Sequence, residues 1–340
     1  MADINSGGIS ILPAPSIQLA RSLASTSVDD LNALSPYQLF QKQMESGSTE
    51  ACLDAMKRLS VVAITMGAPE VQSELIPYLT ALVTQPVTTS GMPAASANSS
   101  NNFPPPTDEL LLILGQELKL VAQFYLQHGD SKTHVPEDFL PILERLAAVE
   151  ETVVRDQAVE VFAFLAEKGV KHVSATWMAL IKRLVNADWF TPKVSAAGIL
   201  PHLFGIVTDG KNRATSGNPH QGALELLSLY KELCTDETPM VRRAAAQHLG
   251  LVLKESGWIY AQVDGGLAIT TLTKLCNDEQ DSVRRLAVVA LAQASPVYAE
   301  QNAQWTAQHW LPLLKEASTD LSWYVLLEEE IWCKIRMLLD

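Results

Sequence analysis

Two stretches of this 340-residue chain decide its fold: Asp236–Ala244, DETPMVRRA, and Asp278–Ala287, DEQDSVRRLA. They begin 42 residues apart, and each follows a Leu-Cys pair, Leu233-Cys234 or Leu275-Cys276, at the same offset. Aligning without gaps on that leucine finds two further copies upstream, at Leu146 and Leu184, with steps of 38, 49 and 42 residues. In all four copies a basic residue (Arg155, Lys193, Arg242, Arg284) stands three positions before a small one (Ala158, Ala196, Ala245, Ala287). A weaker fifth copy, LKEASTDLSWYVLLEEE, places Val325 in the valine position and loses the arginine to Leu326. Two earlier units, opening at Leu39 and Leu79, lack the basic residue.

Around these rungs the periodicity is helical. LDAMKRLSVVAITMG, DELLLILGQELKLVAQFYL, VRDQAVEVFAFLAEKG and MVRRAAAQHLGLVLKESG repeat apolar residues at three- and four-residue steps, several ending at glycine. No sustained two-residue alternation and no Asn-Gly hairpin signal occurs. Each unit therefore reads as a first helix, an acidic turn, and a second helix that starts at Val-Arg, with the alanine allowing close packing. A single helix pair of this size cannot bury its own apolar face, so neighbours must stack. The expectation is an all-α superhelix of about seven helix-pair repeats, whose step near 40 residues suits HEAT and armadillo units.

Composition agrees. Apolar residues make up 47% and charged residues 19%, a globular balance. The net charge of −13 argues against a nucleic-acid or anionic-membrane surface. No apolar run approaches the length needed to span a bilayer, and the first residues lack a basic leader, so neither an anchor nor a secretory signal is expected. Cys52, Cys234, Cys276 and Cys333 are widely spaced and read as reduced thiols in a cytoplasmic or nuclear protein. Three segments break the pattern. Residues 1–33 are expected to be disordered, 86–107 is a low-complexity insert inside the second unit, and 209–221 is a loop that explains the long step. The solenoid is bounded at 34–325, followed by a divergent tail, 326–340.

EETVVRDQAVE, DWFTPKVSA, DETPMVRRAAA and NDEQDSVR, in that order, resemble the third to sixth HEAT repeats of the structural scaffold (A) subunit of protein phosphatase 2A. SPYQLFQKQMES and MKRLSVVAITMGAPEVQSELIPYL are similar to that family's first repeat and the start of its second. The resemblance implies a non-catalytic scaffold whose ridge of intra-repeat turns holds a regulatory (B-type) subunit. In the family the catalytic subunit binds further along the horseshoe, on repeats that this sequence is expected to lack. A HEAT adaptor for an unrelated client is the other open reading.

The residues carry two layers of meaning. Glu150, Glu151, Asp236, Glu237, Asp278, Glu279 and Asp281 can cap the second helices, and stacking also lines them up as an acidic ridge for a partner. Trp189 and Phe190 put two large aromatics in a turn, where they either pack across it or serve as a contact. Pro239 and Met240 hold a similar position, Arg243 lies beside them, and Trp323 marks the corresponding turn of the last unit. Arg155, Lys193, Arg242 and Arg284 oppose the helix dipole, so a ladder to the acidic turn of the same or adjacent repeat explains them better than propensity. The seven histidines show no metal spacing, and no nucleophile elbow, phosphate loop or dinucleotide fingerprint occurs. No catalytic residue, metal or cofactor is expected.

Overall fold

A computed structural model describes residues 34–84, 106–130, 135–168, 173–208, 219–262, 267–317, 319, 320 and 322. The expected N-terminal disorder (1–33), most of the insert and the 209–221 loop, Trp323, Val325 and the tail lie outside those residues. Two boundaries shift. Thr107, placed at the end of the insert, caps a helix instead, its hydroxyl accepting the Leu110 N–H at 3.3 Å. Pro219–Gln221, placed in the loop, already belong to a helix.

The described residues are helical, with no strand among them, and they form a HEAT-type solenoid. The first pair is α1 (Pro36–Glu45) against α2 (Thr49–Met56) and α3 (Leu59–Met66). Ser35 and Gln38 close α1 with a reciprocal capping box, each side chain satisfying the other's backbone N–H. The second pair is α4 (Ile76–Val83), entered through a π-helical stretch Val71–Leu75, and α5 (Asp108–His128). There follow α6 (Leu140–Ala147) with α7 (Thr152–Lys168), α8 (Ala175–Val185) with α9 (Phe190–Thr208), and α10 (Pro219–Cys234) with α11 (Pro239–Gln262). Then come α12 (Leu267–Cys276) and α13 (Asp281–Ala317). Asn302 breaks α13 with non-helical angles (φ −160°, ψ 91°), so its second half is the first helix of a seventh repeat.

Stacking explains the core. Each second helix packs along the next second helix over longer stretches than the first helices do, in keeping with the greater length of most second helices. Consecutive repeats are tied by aromatic pairs in which a ring of the first helix, or of the 3-10 turn Pro136–Phe139 that leads into α6, meets a ring of the preceding second helix. Phe139 meets Tyr125 edge-on at 5.3 Å, Trp177 meets Phe162 at 5.8 Å, and Trp310 meets Tyr298 at 4.6 Å. The stretch Phe190–Val207 of α9 is long and apolar enough to cross a membrane by composition, contrary to expectation. Two thirds of it (67%) is buried inside the solenoid, so its apolarity is used in packing on both neighbours.

Candidate protein-binding ridge and its charge ladder

The turns that join first to second helices are held by a repeated set of bonds. In the fifth repeat the Arg242 Nη1 donates to the carbonyls of Asp236 and Glu237 in its own turn, at 2.9 and 3.1 Å. Its Nε and Nη2 donate across to the Asp278 carboxylate of the next turn, at 2.6 and 3.1 Å. Arg284 repeats the pattern, with its own carbonyls of Asp278 and Glu279 at 2.9 and 3.2 Å and Asp320 of the seventh repeat at 2.7 and 2.9 Å. Lys193, a point charge without the planar fork, makes the single bond to Asp236 at 2.8 Å. Each aspartate also closes its own turn: Asp236 accepts the Thr238 N–H, Asp278 the Gln280 N–H and Asp320 the Ser322 N–H, at 2.8 to 2.9 Å. Arg242 and Arg284 thus read both their own turn and the adjacent one, whereas Lys193 reads only the adjacent one.

These bonds show in the ionisation of the groups. Burial tends to raise the Asp236 carboxyl, but the Lys193 ammonium and the Thr238 N–H outweigh it and hold it below the usual carboxylate range. The Arg284 guanidinium holds Asp320 low in the same way.

The third repeat departs from the rule. Arg155 keeps the two carbonyl bonds of its own turn, to Val149 and Glu150 at 2.8 and 2.5 Å, and its Nη2 meets Thr152 Oγ1 at 3.1 Å. The next turn carries Ala187 where the others carry aspartate, and the buried Nε of Arg155 has no hydrogen-bond partner. Two hydroxyls stitch this junction instead: Thr191 Oγ1 donates to the Ala148 carbonyl at 3.1 Å and Ser195 Oγ to the Ala147 carbonyl at 2.7 Å. On the outer layer Arg183 spans the same junction with a bidentate pair to Glu144 at 2.7 and 2.8 Å.

The ladder divides the ridge candidates. The Asp236 and Asp278 side chains are only 12% and 7% exposed and are taken up by the ladder, so they do not stand free for a partner. Glu150, Glu151, Glu237, Glu279, Pro239, Arg243 and Asp281 are exposed. Glu279 leans on Arg242 at 3.0 Å, and Asp281 accepts the Ser322 hydroxyl at 3.1 Å. Phe190 opens α9 half-buried against the core, whereas Trp189 is 59% exposed and rests on the Phe190 ring at 5.2 Å. Met240, on the next turn, is 55% exposed. Two large apolar side chains therefore project from adjacent turns among exposed glutamates. Of the cysteines, Cys234 is buried and Cys276 half-buried. Among the described residues no His, Cys, Asp and Glu cluster could hold a metal.

Asp320, Thr191 and Ser195 were not singled out from sequence. Asp320 sits three residues late in an alignment pinned to Leu314, and its signal is the turn it shares with Asp236, an aspartate two positions ahead of a hydroxyl residue.

Comparison with curated proteins returns a consistent group. A Caenorhabditis elegans "probable serine/threonine-protein phosphatase PP2A regulatory subunit" is 35% identical over 271 residues, 78% of this chain and 38% of the relative. The chain is a homologue of the phosphatase 2A regulatory A subunits. The human 65 kDa A-subunit beta isoform is 32% identical over 65% of this chain and 31% of its own length, and the Saccharomyces cerevisiae A subunit 28% identical over 85% and 40%. The homologue described here thus spans about two fifths or less of the relatives it matches. No family model matches it. The crystal structure of Kap121p superimposes on 94% of this A-subunit homologue and 35% of the Kap121p chain, with a TM-score of 0.58 at 11% identity. That likeness is one of fold alone.

Proposed function

We propose that the chain is a non-catalytic scaffold that uses the turn ridge of its third to fifth repeats to hold a B-type regulatory subunit of a serine/threonine phosphatase. The observation that carries this reading is Trp189: a large aromatic 59% exposed on a turn whose backbone is fixed on both sides by packing. Exposed tryptophan at the centre of a polar rim is the composition of an interface anchor. Glu151 and Glu237 supply that rim, and Met240 an adaptable second contact. The similarity to phosphatase A subunits names the class of partner.

The test is titration calorimetry of the full chain with a purified B-type subunit, beside Trp189→Ala and Glu151→Lys. Losing an anchor of this kind costs about 2 kcal/mol or more, so Trp189→Ala should weaken binding roughly thirtyfold while leaving the melting temperature unchanged. Equal affinity of the parent and both variants, or no binding by the parent, refutes the assignment and favours a different client.

A further inference from the structure

Where the second helices begin, α7, α9 and α11 frame a groove of ≈ 460 Å³. Thr152 opens α7, Val194 and Ser195 lie within two turns of the start of α9, and Met240 and Arg243 lie within two turns of the start of α11. The groove thus gathers three helix N-termini, whose free N–H groups favour negative charge. Met240 belongs both to the groove and to the ridge, which makes the two surfaces continuous. Gly198 lines the floor: a Cβ there would stand 3.0 Å from Val159 Cγ1 and 3.5 Å from His248 Nε2, so the absent side chain helps keep the groove open.

Guanidiniums line it from two sides, Arg243 exposed on α11 and Arg155 on α7. Arg155 is only 5% exposed, and it is the member of the ladder whose buried Nε lacks an acceptor. The missing acceptor has a defined shape. In the fifth and sixth rungs one aspartate carboxylate bridges Nε and Nη2, at 2.6 and 3.1 Å and at 2.7 and 2.9 Å. Asp156 and Glu160 also line the α7 wall, one and two turns further from the ridge than Thr152. Glu160 has one loose pairing, to Lys119 at 3.6 Å. These two acids oppose a doubly charged phosphoryl group or a run of acidic residues, and they confine a single carboxylate to the ridge end.

We infer, building on the ridge contact proposed above, that the B-type partner held at Trp189 completes this rung from outside. It places one aspartate or glutamate side chain in the groove, between Arg155 and Arg243. The Arg155 Nε is already stripped of water, so only the incoming carboxylate has to be dehydrated before a charge-assisted bond forms. The guanidinium is also held in place beforehand by its bonds to the Val149 and Glu150 carbonyls and to Thr152. A lysine or an apolar side chain in the same place would leave the Nε unsatisfied.

A mutant cycle read by titration calorimetry tests this, with the full chain and a purified B-type subunit. On this chain, Ala187→Asp supplies the carboxylate internally, and Ala187→Asn is its uncharged counterpart. On the subunit, each exposed aspartate and glutamate is changed in turn to its amide. Ala187→Asp should weaken binding roughly tenfold, the worth of one charge-assisted bond, and Ala187→Asn should leave it unchanged. One acid of the subunit should cost the same factor against the parent chain and nothing against Ala187→Asp. If Ala187→Asp does not fold, Arg243→Gln, an exposed change, replaces it in the cycle, and the effect of that acid should shrink. Undiminished binding by Ala187→Asp, equal loss from aspartate and asparagine, or no acid coupled to this chain's variants overturns the proposal. Trp189→Ala separates the two readings. Binding weakened by Trp189→Ala but not by Ala187→Asp keeps the ridge contact and removes the external rung, whereas no binding by the parent chain removes both.

Discussion

Ala187→Asp restores a carboxylate where the ladder lacks one, and it should stabilise the protein. Ala187 occupies the turn position that Asp236, Asp278 and Asp320 hold in later repeats, just after the last turn of α8. Arg155 is already placed to receive it, because its Nη1 makes the same two carbonyl bonds as Arg242 and Arg284. What differs is the Nε, buried here without a partner and bonded to aspartate at 2.6 and 2.7 Å in the other two rungs. A buried unsatisfied donor costs about 1–3 kcal/mol. The new carboxylate must itself be desolvated, which offsets part of the gain. It would also accept the Trp189 N–H, as Asp236 accepts that of Thr238. The net expectation is about 1–2 kcal/mol of added stability at the junction of the third and fourth repeats. A solenoid unfolds piecemeal, so the readout should be local: hydrogen exchange of the Trp189 and Arg155 amides, supported by urea denaturation, since urea leaves ion pairs unscreened. Ala187→Asn is the control, able to close the turn but not to supply the charge. Exchange slowed equally by aspartate and asparagine, or not slowed by aspartate, would refute the missing-rung argument.

Other outcomes follow from the same geometry. Arg242→Ala should cost about 3–5 kcal/mol, because it strands the largely buried Asp278 carboxylate; an unchanged denaturation midpoint with lost partner binding would make Arg242 a contact residue instead. His202 and His248 lie on adjacent second helices and are both held below the usual histidine range, by burial first, with mutual repulsion adding to it for His248. Their contribution is present above the unfolded value near 6.5 and is lost as pH falls toward the folded values, so stability should decline on acidification below about pH 6.5. A double His202→Gln, His248→Gln variant should flatten that decline in urea titrations at stepped pH. Asp236 and Asp320 add a second acid limb, since both are depressed: stability present above the unfolded carboxylate value of about 3.9 is lost below it, and Asp320→Asn should weaken this limb in acid titrations.

Most of the fold can be read from one rung and its recurrence. Val-Arg-Arg after an acidic turn, written twice with the same leading Leu-Cys, sets helix pairing, stacking and a cross-repeat bond in a single pattern. The site is less legible, because the same aspartate serves as turn residue, ladder acceptor and ridge charge, and only its burial tells which role excludes the others. The recurring basic residue points to a ladder onto the acidic turns, but not to which carboxylate of a turn it takes, because Asp236 and Asp278 meet their partners 36 to 43 residues away. Thr191 and Ser195 are ordinary hydroxyl residues until α9 is seen over the carbonyl ends of α6 and its turn.

Each aspartate of the ladder serves two repeats, and this makes the array modular in a way that single residues are not. Excision of Asp236–Asn277, one whole period of 42 residues, would join Thr235 to Asp278 and offer Lys193 a carboxylate in the register that Asp236 held. Arg284 would keep both its own turn and Asp320. Losing an entire repeat can therefore leave every remaining charge matched, whereas changing one guanidinium leaves a buried carboxylate stranded. Variation by whole periods is the mutational step this architecture tolerates best.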